Sequence, residues 1–576
     1  MKKWLYSGRN ADKPKSTFFG GIRENNHGKL FFNIDDATNI PGGFFILDGY
    51  IIPRNHARHF QGDDLSSLLA ELLNQFGKDW ILHVKGIFTI VIFWKDEFYF
   101  ANDHLALNKI YWQEHSQSVS NCFNSLSDFS ENRRISLASA QSRVLFHRDI
   151  GEITPLEGIY KTRFGCQIWI SDGSLNRNYY FDPHQLLSGK VESRSPEEFA
   201  LSLDMTLKNI ESYYPEGKHY ITLTGGKDAR TGLAFLRSRN KEVIGFTYGN
   251  PDSKDAVFAR KIAQKATVDH VIPDLPHSED EWIQAIEGCM EVETTFVNIH
   301  RAYRYQAFKS VFKTGGTYWA GYMGGEWLMG LYEDALVFPK WLTDLNHKPF
   351  DESIINHVHF YGKWNEWTPE IQLEIDRFTA LAAERGKKGL LNFELMFQIG
   401  VLHHQQDIVL SQRLGARPFP FFMDIDVLDL IFTSQFSFFN QNNQSKNLFK
   451  RWGLYELNIR LQHMLMPNWD HVPYGKKGSY TPFVYLLGPI LWGLYKTLHY
   501  LLEKKDYPPN FIYPSEWRKV ITDMFYKMML DTESAIHSIF DTHQLWCQLQ
   551  EDNALLSEKD WKRYSTVLNL YVHAKI

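Results

Sequence analysis

The stretch Leu223-Thr224-Gly225-Gly226-Lys227-Asp228-Ala229-Arg230 decides how the chain is read. It starts where an extended apolar run, HYITLT (219–224), ends, and it leads into a helical stretch over 228–239. In open parallel sheets, ligands collect at the carboxyl ends of the strands. Two glycines let the backbone turn tightly and approach an anion. The helix N-terminus offers free N–H groups and the positive end of its dipole. Thr224 adds a hydroxyl donor. Asp228 would repel phosphate directly, so it makes sense as a ligand of Mg²⁺, which bridges carboxylate and phosphate oxygens. Neither GxxxxGK[ST] nor GxGxxG is found here, which disfavours Walker-type and dinucleotide loops. The plainer alternative is a Gly-Gly tight turn with Asp228 as an ordinary first-turn residue. Lys227 and Arg230 read as solvated residues of the helix start, with added charge near a phosphate as the alternative.

Outward from this loop, strands and helices alternate. Strand-like runs lie at 219–224, 242–249, 269–274 and 317–322, with helical stretches at 228–239, 254–266, 278–290 and 299–312 between them. That order predicts a parallel sheet with helices on both faces. Beyond about residue 350 the chain reads as mostly helical. Before residue 190 the rhythm differs. Apolar runs at 42–53, 86–94, 97–103, 110–112, 158–165 and 166–173 are closed by Gly, Asp and Asn, and predict antiparallel strands. Leucines 65, 68, 69, 72 and 73 predict a helix over 64–76, and a second lies around 137–146. We therefore expect an α+β domain over 1–190 and an α/β domain with a helical C-terminal part over 191–576.

Composition fits a folded, globular chain. Of 576 residues, 44% are hydrophobic and 22% charged, which excludes wholesale disorder. The aromatic share of 15% predicts deep cores and stacking surfaces. The net charge of −5 gives no reason to expect nucleic acid as a partner. Cys122, Cys166, Cys289 and Cys547 stand singly, so neither a zinc ribbon nor a disulfide framework is expected, and a cytoplasmic location is the default. The N-terminus has basic residues but no apolar core of a signal peptide. The most apolar run, 482–495, holds about 14 residues broken by Gly488-Pro489, whereas a membrane span needs about 20. A buried helix is the plain reading of that run, and a membrane-surface contact the alternative.

The loop TGGKDAR (224–230) resembles the SGGxDS pyrophosphate loop of N-type ATP pyrophosphatases, and most of all the asparagine synthetase superfamily, which includes β-lactam and lasso-peptide macrolactam synthetases. Thr224 keeps the first hydroxyl, and Ala229 lacks the last. Further segments follow in the family's order. Gly324-Gly325-Glu326-Trp327-Leu328-Met329-Gly330 resembles GxDExFGG, after a strand ending in Ala320-Gly321-Tyr322. Asp407 with Arg417 to Asp424 resembles DRxSM…ExRxPFLD, and Tyr474-Gly475-Lys476-Lys477-Gly478 to Pro482 resembles RxKxGFxxP. In the first domain, Leu47-Asp48-Gly49-Tyr50 is similar to NGEIYN. Gly86-Ile87-Phe88, Ala101-Asn102-Asp103 and Lys109-Ile110-Tyr111 are similar to the family's GxFA…RDxxGxxPLY pattern.

The resemblance implies an N-terminal-nucleophile-type sandwich, degenerate here, followed by an ATP-pyrophosphatase domain. It implies ATP and Mg²⁺ as cofactors, with Leu223 to Ala229 and Gly321 at the nucleotide and Asp228 and Glu326 on the metal. Lys476 is implied as the catalytic lysine, with Lys477 as the alternative. Tyr322 or Met323, with Asp407 and Arg230, would border the substrate. The family's glutaminase nucleophile is an N-terminal cysteine; residue 2 here is Lys2, the nearest cysteine is Cys122, and Asn102 replaces an arginine. We therefore expect no glutamine hydrolysis. The implied reaction adenylates a carboxylate and passes it to an amine, by ring closure or between molecules, on a small molecule or a peptide. Ammonia- or partner-fed amide transfer to a polysaccharide or small acid and a non-catalytic ATP-binding role are the alternatives. A partner biosynthetic protein is a further expectation, and so is a substrate cavity lined by Trp364, Trp367, Phe419, Phe421, Phe422 and Tyr480, which read equally as core.

Overall fold

A computed structural model describes residues 2–8, 21–25, 28–57, 64–127, 134–146, 148–171, 174–215, 217–292, 299–329, 364, 366–383, 390–440, 456–475, 481–502, 507–508, 514–552 and 558–575. The chain is a mixed α/β protein: two antiparallel sheets of six strands, then a parallel sheet of five strands with helices.

The antiparallel sheets are built on period-two alternation. Strands Gly43–Pro53 and Val84–Trp94 pair along their whole length. One face of this pair, through Ile46, Val91 and Phe93, packs on Trp4, Tyr6, Leu30 and Phe32 of the other sheet. The opposite face, through Leu47, Phe88, Ile90 and Ile92, takes Leu68, Leu69, Leu72 and Leu73 of the helix Leu65–Phe76. Asp64 caps that helix by accepting the Ser67 N–H at 2.8 Å. Strands Trp4–Gly8, Gly21–Asn25 and Gly28–Phe32, which no alternating run announced, complete the first sheet.

The parallel sheet runs Asp269–Val271, Val243–Phe246, Lys218–Thr222, Gly316–Trp319, Ala416–Phe419. Its two faces enter different cores. Tyr220, Phe246 and Tyr318 pack with Trp282, Phe308 and Trp517, whereas Ile221, Leu223 and Trp319 pack with Leu233, Ile262 and Leu461. The fifth strand is an exception within the part beyond residue 350 that reads as mostly helical. Its four residues are too few to show a period. They become a strand because Gly415, at φ +97, ends the preceding helix Val401–Arg413 and the free sheet edge beside Gly316–Trp319 accepts the chain. Chain order reverses on either side of Lys218–Thr222, so the loops after this strand and after Gly316–Trp319 open at a switch point, where α/β sheets bind ligands.

The antiparallel and parallel parts are tied by ion pairs, of which those of Lys85 are buried on both sides and that of Arg54 with Asp429 is half exposed. Lys85 Nζ lies 3.0 Å from Asp424 and 2.8 Å from Asp426, and also donates to Thr206 Oγ1 at 2.7 Å. Arg54 reaches Asp426 at 2.9 Å and Asp429 at 2.6 Å. Arg413 reaches Asp48 at 2.7 Å. Removing Lys85 strands buried carboxylates, which typically costs about 3–5 kcal/mol.

Candidate functional site

The 223–230 stretch closes the central strand and opens the helix Asp228–Ser238. Leu223 is buried, and its carbonyl accepts from Thr247 Oγ1 at 2.7 Å. The Gly226 N–H donates to Thr224 Oγ1 at 3.0 Å, and the Gly225 N–H to Asp255 Oδ1 at 3.2 Å. On the other side, the Gly475 N–H donates to Gly225 O at 2.8 Å. A Cβ on Gly225 would fall 2.6 Å from Gly475 Cα. At Gly226 a Cβ would meet, among the described residues, Thr224 Oγ1 alone, at 3.1 Å. The loop is therefore backed by protein at Gly225 and open at Gly226, beside a helix N-terminus. Its Gly225 N–H already holds a carboxylate oxygen. These features fit the phosphates of a nucleotide.

Asp228 is the first residue of the helix, and both its oxygens are oriented. Asn458 Nδ2 donates to Oδ1 at 2.7 Å, and the Gly325 N–H donates to Oδ2 at 2.9 Å. The close approach needs glycine at 324, where a Cβ would lie 2.8 Å from Asp228 Cγ and 2.6 Å from the Phe422 ring. It also needs glycine at 321, where a Cβ would lie 2.7 Å from the Ala229 N. Half-buried Glu326 follows Gly325 in the short helix Gly324–Met329. Adjacent strands thus bring two carboxylate-bearing residues to one end of the sheet. No group of three or more His, Cys, Asp or Glu side chains able to hold a metal occurs among the described residues. One or two carboxylates, with the rest supplied by phosphate oxygens and water, is the donor set Mg²⁺ accepts, so the residues fit that ion.

Lys227 and Arg230 are buried, which corrects their reading as solvated. Arg230 donates to Val472 O at 2.7 Å and to Pro473 O at 2.8 Å, and its guanidinium stands 4.3 Å from the centre of the Tyr474 ring. Burial lowers its pKa to about 10, opposed by Tyr474. Tyr474, in turn, donates to Gln462 Oε1 at 2.7 Å, while Gln462 Nε2 donates to Lys227 O at 3.0 Å and to Thr231 Oγ1 at 2.9 Å. The physical reason is that the helix Glu456–Leu465 covers the start of Asp228–Ser238 and delivers the 472–475 segment onto it. Arg230 is a tether for that segment. Lys476, Lys477, Gly330 and Tyr480 lie outside the described residues.

The structure separates Tyr322 from Met323. Met323 is buried in the apolar core at φ +68, a strained conformation for a side chain of its size. Tyr322 is turned the other way: its hydroxyl donates to Asp407 Oδ2 at 3.2 Å and meets the Tyr318 hydroxyl at 3.0 Å. Asp407 also pairs with Arg304. The Tyr322 ring stacks on His404 at 4.4 Å. Burial and the Asp407 carboxylate raise Tyr322 well above the ordinary phenol range. Burial, opposed by Asp407 and reinforced by Arg301, Arg304 and Arg148, pushes His404 down to about 3, so it is neutral at physiological pH. Trp364, Phe419, Phe421 and Phe422 are buried in the hydrophobic clusters, and Trp367 packs against one; they are core.

In the first sheets, Asn102 is spent on internal bonds: its Oδ1 accepts from the Cys166 N–H at 2.8 Å, and its Nδ2 donates to Thr162 Oγ1 at 2.9 Å. Lys2 is held by Asn121, whose Nδ2 donates to Lys2 O at 2.9 Å, so Cys122, distant in sequence, neighbours the first strand. Burial pushes the Cys166 thiol well above its usual range and the Cys289 thiol to about 12, far from activated nucleophiles. Asn458, Gln462, Asp255, Arg304 and His404 were not foreseen. Each sits within a helix at a position with no local signal; that Asn458 is fully buried is seen only in the structure.

No family model matches the chain, and no curated protein sequence matches it. Among solved structures, a chain described as the allosteric regulatory enzyme of purine biosynthesis aligns with 55% of this chain and 68% of its own length, at 12% identity and a TM-score of 0.19, a likeness too slight to carry an argument.

Proposed function

We propose that the chain is an ATP-dependent amide-bond synthetase that activates a substrate carboxylate by adenylation and couples it to an amine. The observation that carries this reading is the meeting of three separate segments at one sheet end: the Gly225–Asp228 loop, Gly325, whose N–H orients the Asp228 carboxylate, and the 458–475 segment, which brings Asn458 to Asp228 and Gly475 to Gly225 and leads into Lys476. Thr224, Gly225, Gly226 and the N-terminus of the Asp228–Ser238 helix would hold the phosphates, and Asp228 with Glu326 would hold Mg²⁺. Bound Mg·ATP supplies transfer of AMP to the carboxylate with release of pyrophosphate.

The remaining chemistry falls to the chain's own groups. Lys476 is assigned to stabilise negative charge at the reacting carboxyl carbon, a role whose removal typically costs about 10²–10³ in rate. Tyr322 and Asp407 form a relay: a proton leaving the attacking amine passes to the Tyr322 oxygen as the Tyr322 proton passes to Asp407 Oδ2. Neutral His404 stacks on the ring and fixes its direction. We read the first two sheets as an N-terminal-nucleophile-type sandwich without glutaminase activity, because Asn102 offers no charge to a substrate. The amine then comes from a second substrate, from the same molecule by ring closure, or from ammonia. A non-catalytic ATP-binding role is the alternative, motivated by Ala229, which lacks the hydroxyl, and by Glu326 in place of an aspartate.

Exchange of radiolabelled pyrophosphate into ATP, run with a panel of small and peptide carboxylic acids, tests the reading. Exchange dependent on one class of acid, and lost in Asp228→Asn, is the expected result. No exchange with any acid and no magnesium-dependent ATP binding overturns it, and ATP binding without exchange favours the non-catalytic role.

A further inference from the structure

The helices Pro482–Leu486 and Pro489–Leu502 present an apolar face to solvent. Ile490 is 63% exposed and Leu494 64%, and Phe483, Leu487, Leu491 and Leu498 are exposed with them. Positions 490, 494 and 498 follow one another at four-residue steps, so they share one side of the second helix. The other side is anchored. Tyr485 and Trp492 are buried against Ile459 and Tyr474, and the Phe483 N–H donates to Asp470 O at 3.1 Å. Gly488, at φ +104, makes the bend between the two helices. The pair is fixed on the protein by its aromatic side and shows its aliphatic side outward.

Charge along this stretch departs from the rest of the chain. Overall the chain carries a net charge of −5, yet no acidic residue occurs from His471 to Leu502, while Lys476, Lys477 and Lys496 do; beyond it, Lys504 and Lys505 stand between Glu503 and Asp506. Protein interfaces concentrate aromatic, Met and Arg side chains in a bounded core with a polar rim. Here the exposed side chains are leucine and isoleucine with a single Phe, set in a line. A row of aliphatic side chains in an acid-free, lysine-bearing stretch is what an anionic bilayer surface accepts. Among the described residues no helix is long and apolar enough to cross a membrane.

We infer that this face docks on an anionic lipid surface, with both helices lying flat and Phe483, Leu487, Ile490, Leu491, Leu494 and Leu498 entering the boundary between headgroups and acyl chains. The inference is independent of the reaction proposed above. Because Tyr485 and Trp492 rest on Tyr474, docking would hold the Gly225–Gly475 region at a set orientation to the bilayer.

Co-sedimentation of the full chain with vesicles tests it, comparing phosphatidylcholine mixed with phosphatidylglycerol against phosphatidylcholine alone. Expected is binding to the mixed vesicles that weakens with added salt and is poorer on phosphatidylcholine. The double variant Ile490→Glu, Leu494→Glu should lose binding by about tenfold or more, with an unchanged melting temperature because both positions face solvent. Leu494→Phe should keep it. Wild-type protein that stays in the supernatant with mixed vesicles at low salt overturns the inference, and so does equal sedimentation of wild type and the double variant. Light scattering without lipid completes the test: self-association that the double variant abolishes, with no vesicle binding, assigns the face to a second copy of the chain instead.

Discussion

Gly475 and Gly225 touch backbone to backbone. The Gly475 N–H donates to Gly225 O at 2.8 Å, and a Cβ on Gly475 would lie 2.7 Å from Gly225 Cα, as one on Gly225 would lie 2.6 Å from Gly475 Cα. Two segments far apart in the chain therefore share one wall of the candidate phosphate site, and Arg230 holds the second segment in place through two carbonyls.

Gly225→Ala or Gly475→Ala should each force these segments apart. The obstruction is backbone, which cannot swing away, so each is expected to cost about 1–3 kcal/mol and to weaken ATP binding. Because both act on one contact, the double variant should be less destabilised than the sum. Thermal melts and calorimetric ATP titration check this; a strictly additive double variant would contradict a shared contact.

Asn458→Leu removes the donor to Asp228 Oδ1 and keeps the branched skeleton and heavy-atom count of the side chain. Partners that orient a metal ligand typically contribute 10–100-fold in affinity or activity. The Mg²⁺ concentration for half-maximal pyrophosphate exchange is expected to rise by about that factor while the protein stays folded by circular dichroism. An unchanged magnesium requirement removes Asp228 from the metal site.

Tyr322→Phe deletes the hydroxyl between Tyr318 and Asp407 and keeps the ring on His404. Amide formation should fall by about 10²–10⁴, the usual contribution of a positioned proton acceptor, with pyrophosphate exchange largely retained. Loss of both steps together would place Tyr322 in nucleotide binding or structure.

Asp103 supplies a pH signature of the junction between the sheets. Burial raises its carboxyl to about 6, against the N–H donors of Asn108 and Leu107, each at 2.9 Å. The folded value lies above the unfolded value of about 3.9, so its contribution is present in full below pH 4 and is lost as pH rises through about 6. Relative to Asp103→Asn, wild type should lose on the order of 3 kcal/mol across that window and stay level above it. Calorimetric melts of both proteins from pH 4 to 7 read the difference; a wild type that gains stability over this range rules the assignment out.

Much of the architecture was legible because it rests on local rules. The helix Leu65–Phe76 follows from its leucine spacing and the Asp64 cap, and the parallel strands at 218–222, 243–246 and 316–319 follow from apolar runs alternating with helices. Strand Ala416–Phe419 was not legible, since four residues carry no period and its pairing depends on an edge made a hundred residues earlier. The burial of Arg230 was not legible either. A cation at a helix start is solvated unless another helix covers it, and that cover comes from 456–475.

The sequence by itself determined which groups exist: a Gly-Gly turn between strand and helix, a carboxylate at the helix start, a second one after Gly325, and an acid-free apolar stretch near the end. Tertiary structure alone decided their relations. It set Gly475 against Gly225, aimed Asn458 at Asp228, turned Tyr322 toward Asp407 and Met323 into the core, and left the aliphatic side of 483–498 in solvent. The reason is physical: turn chemistry and periodicity act over a few residues, whereas a hydrogen bond between distant segments depends on which faces the packed sheet and helices bring within about 3 Å.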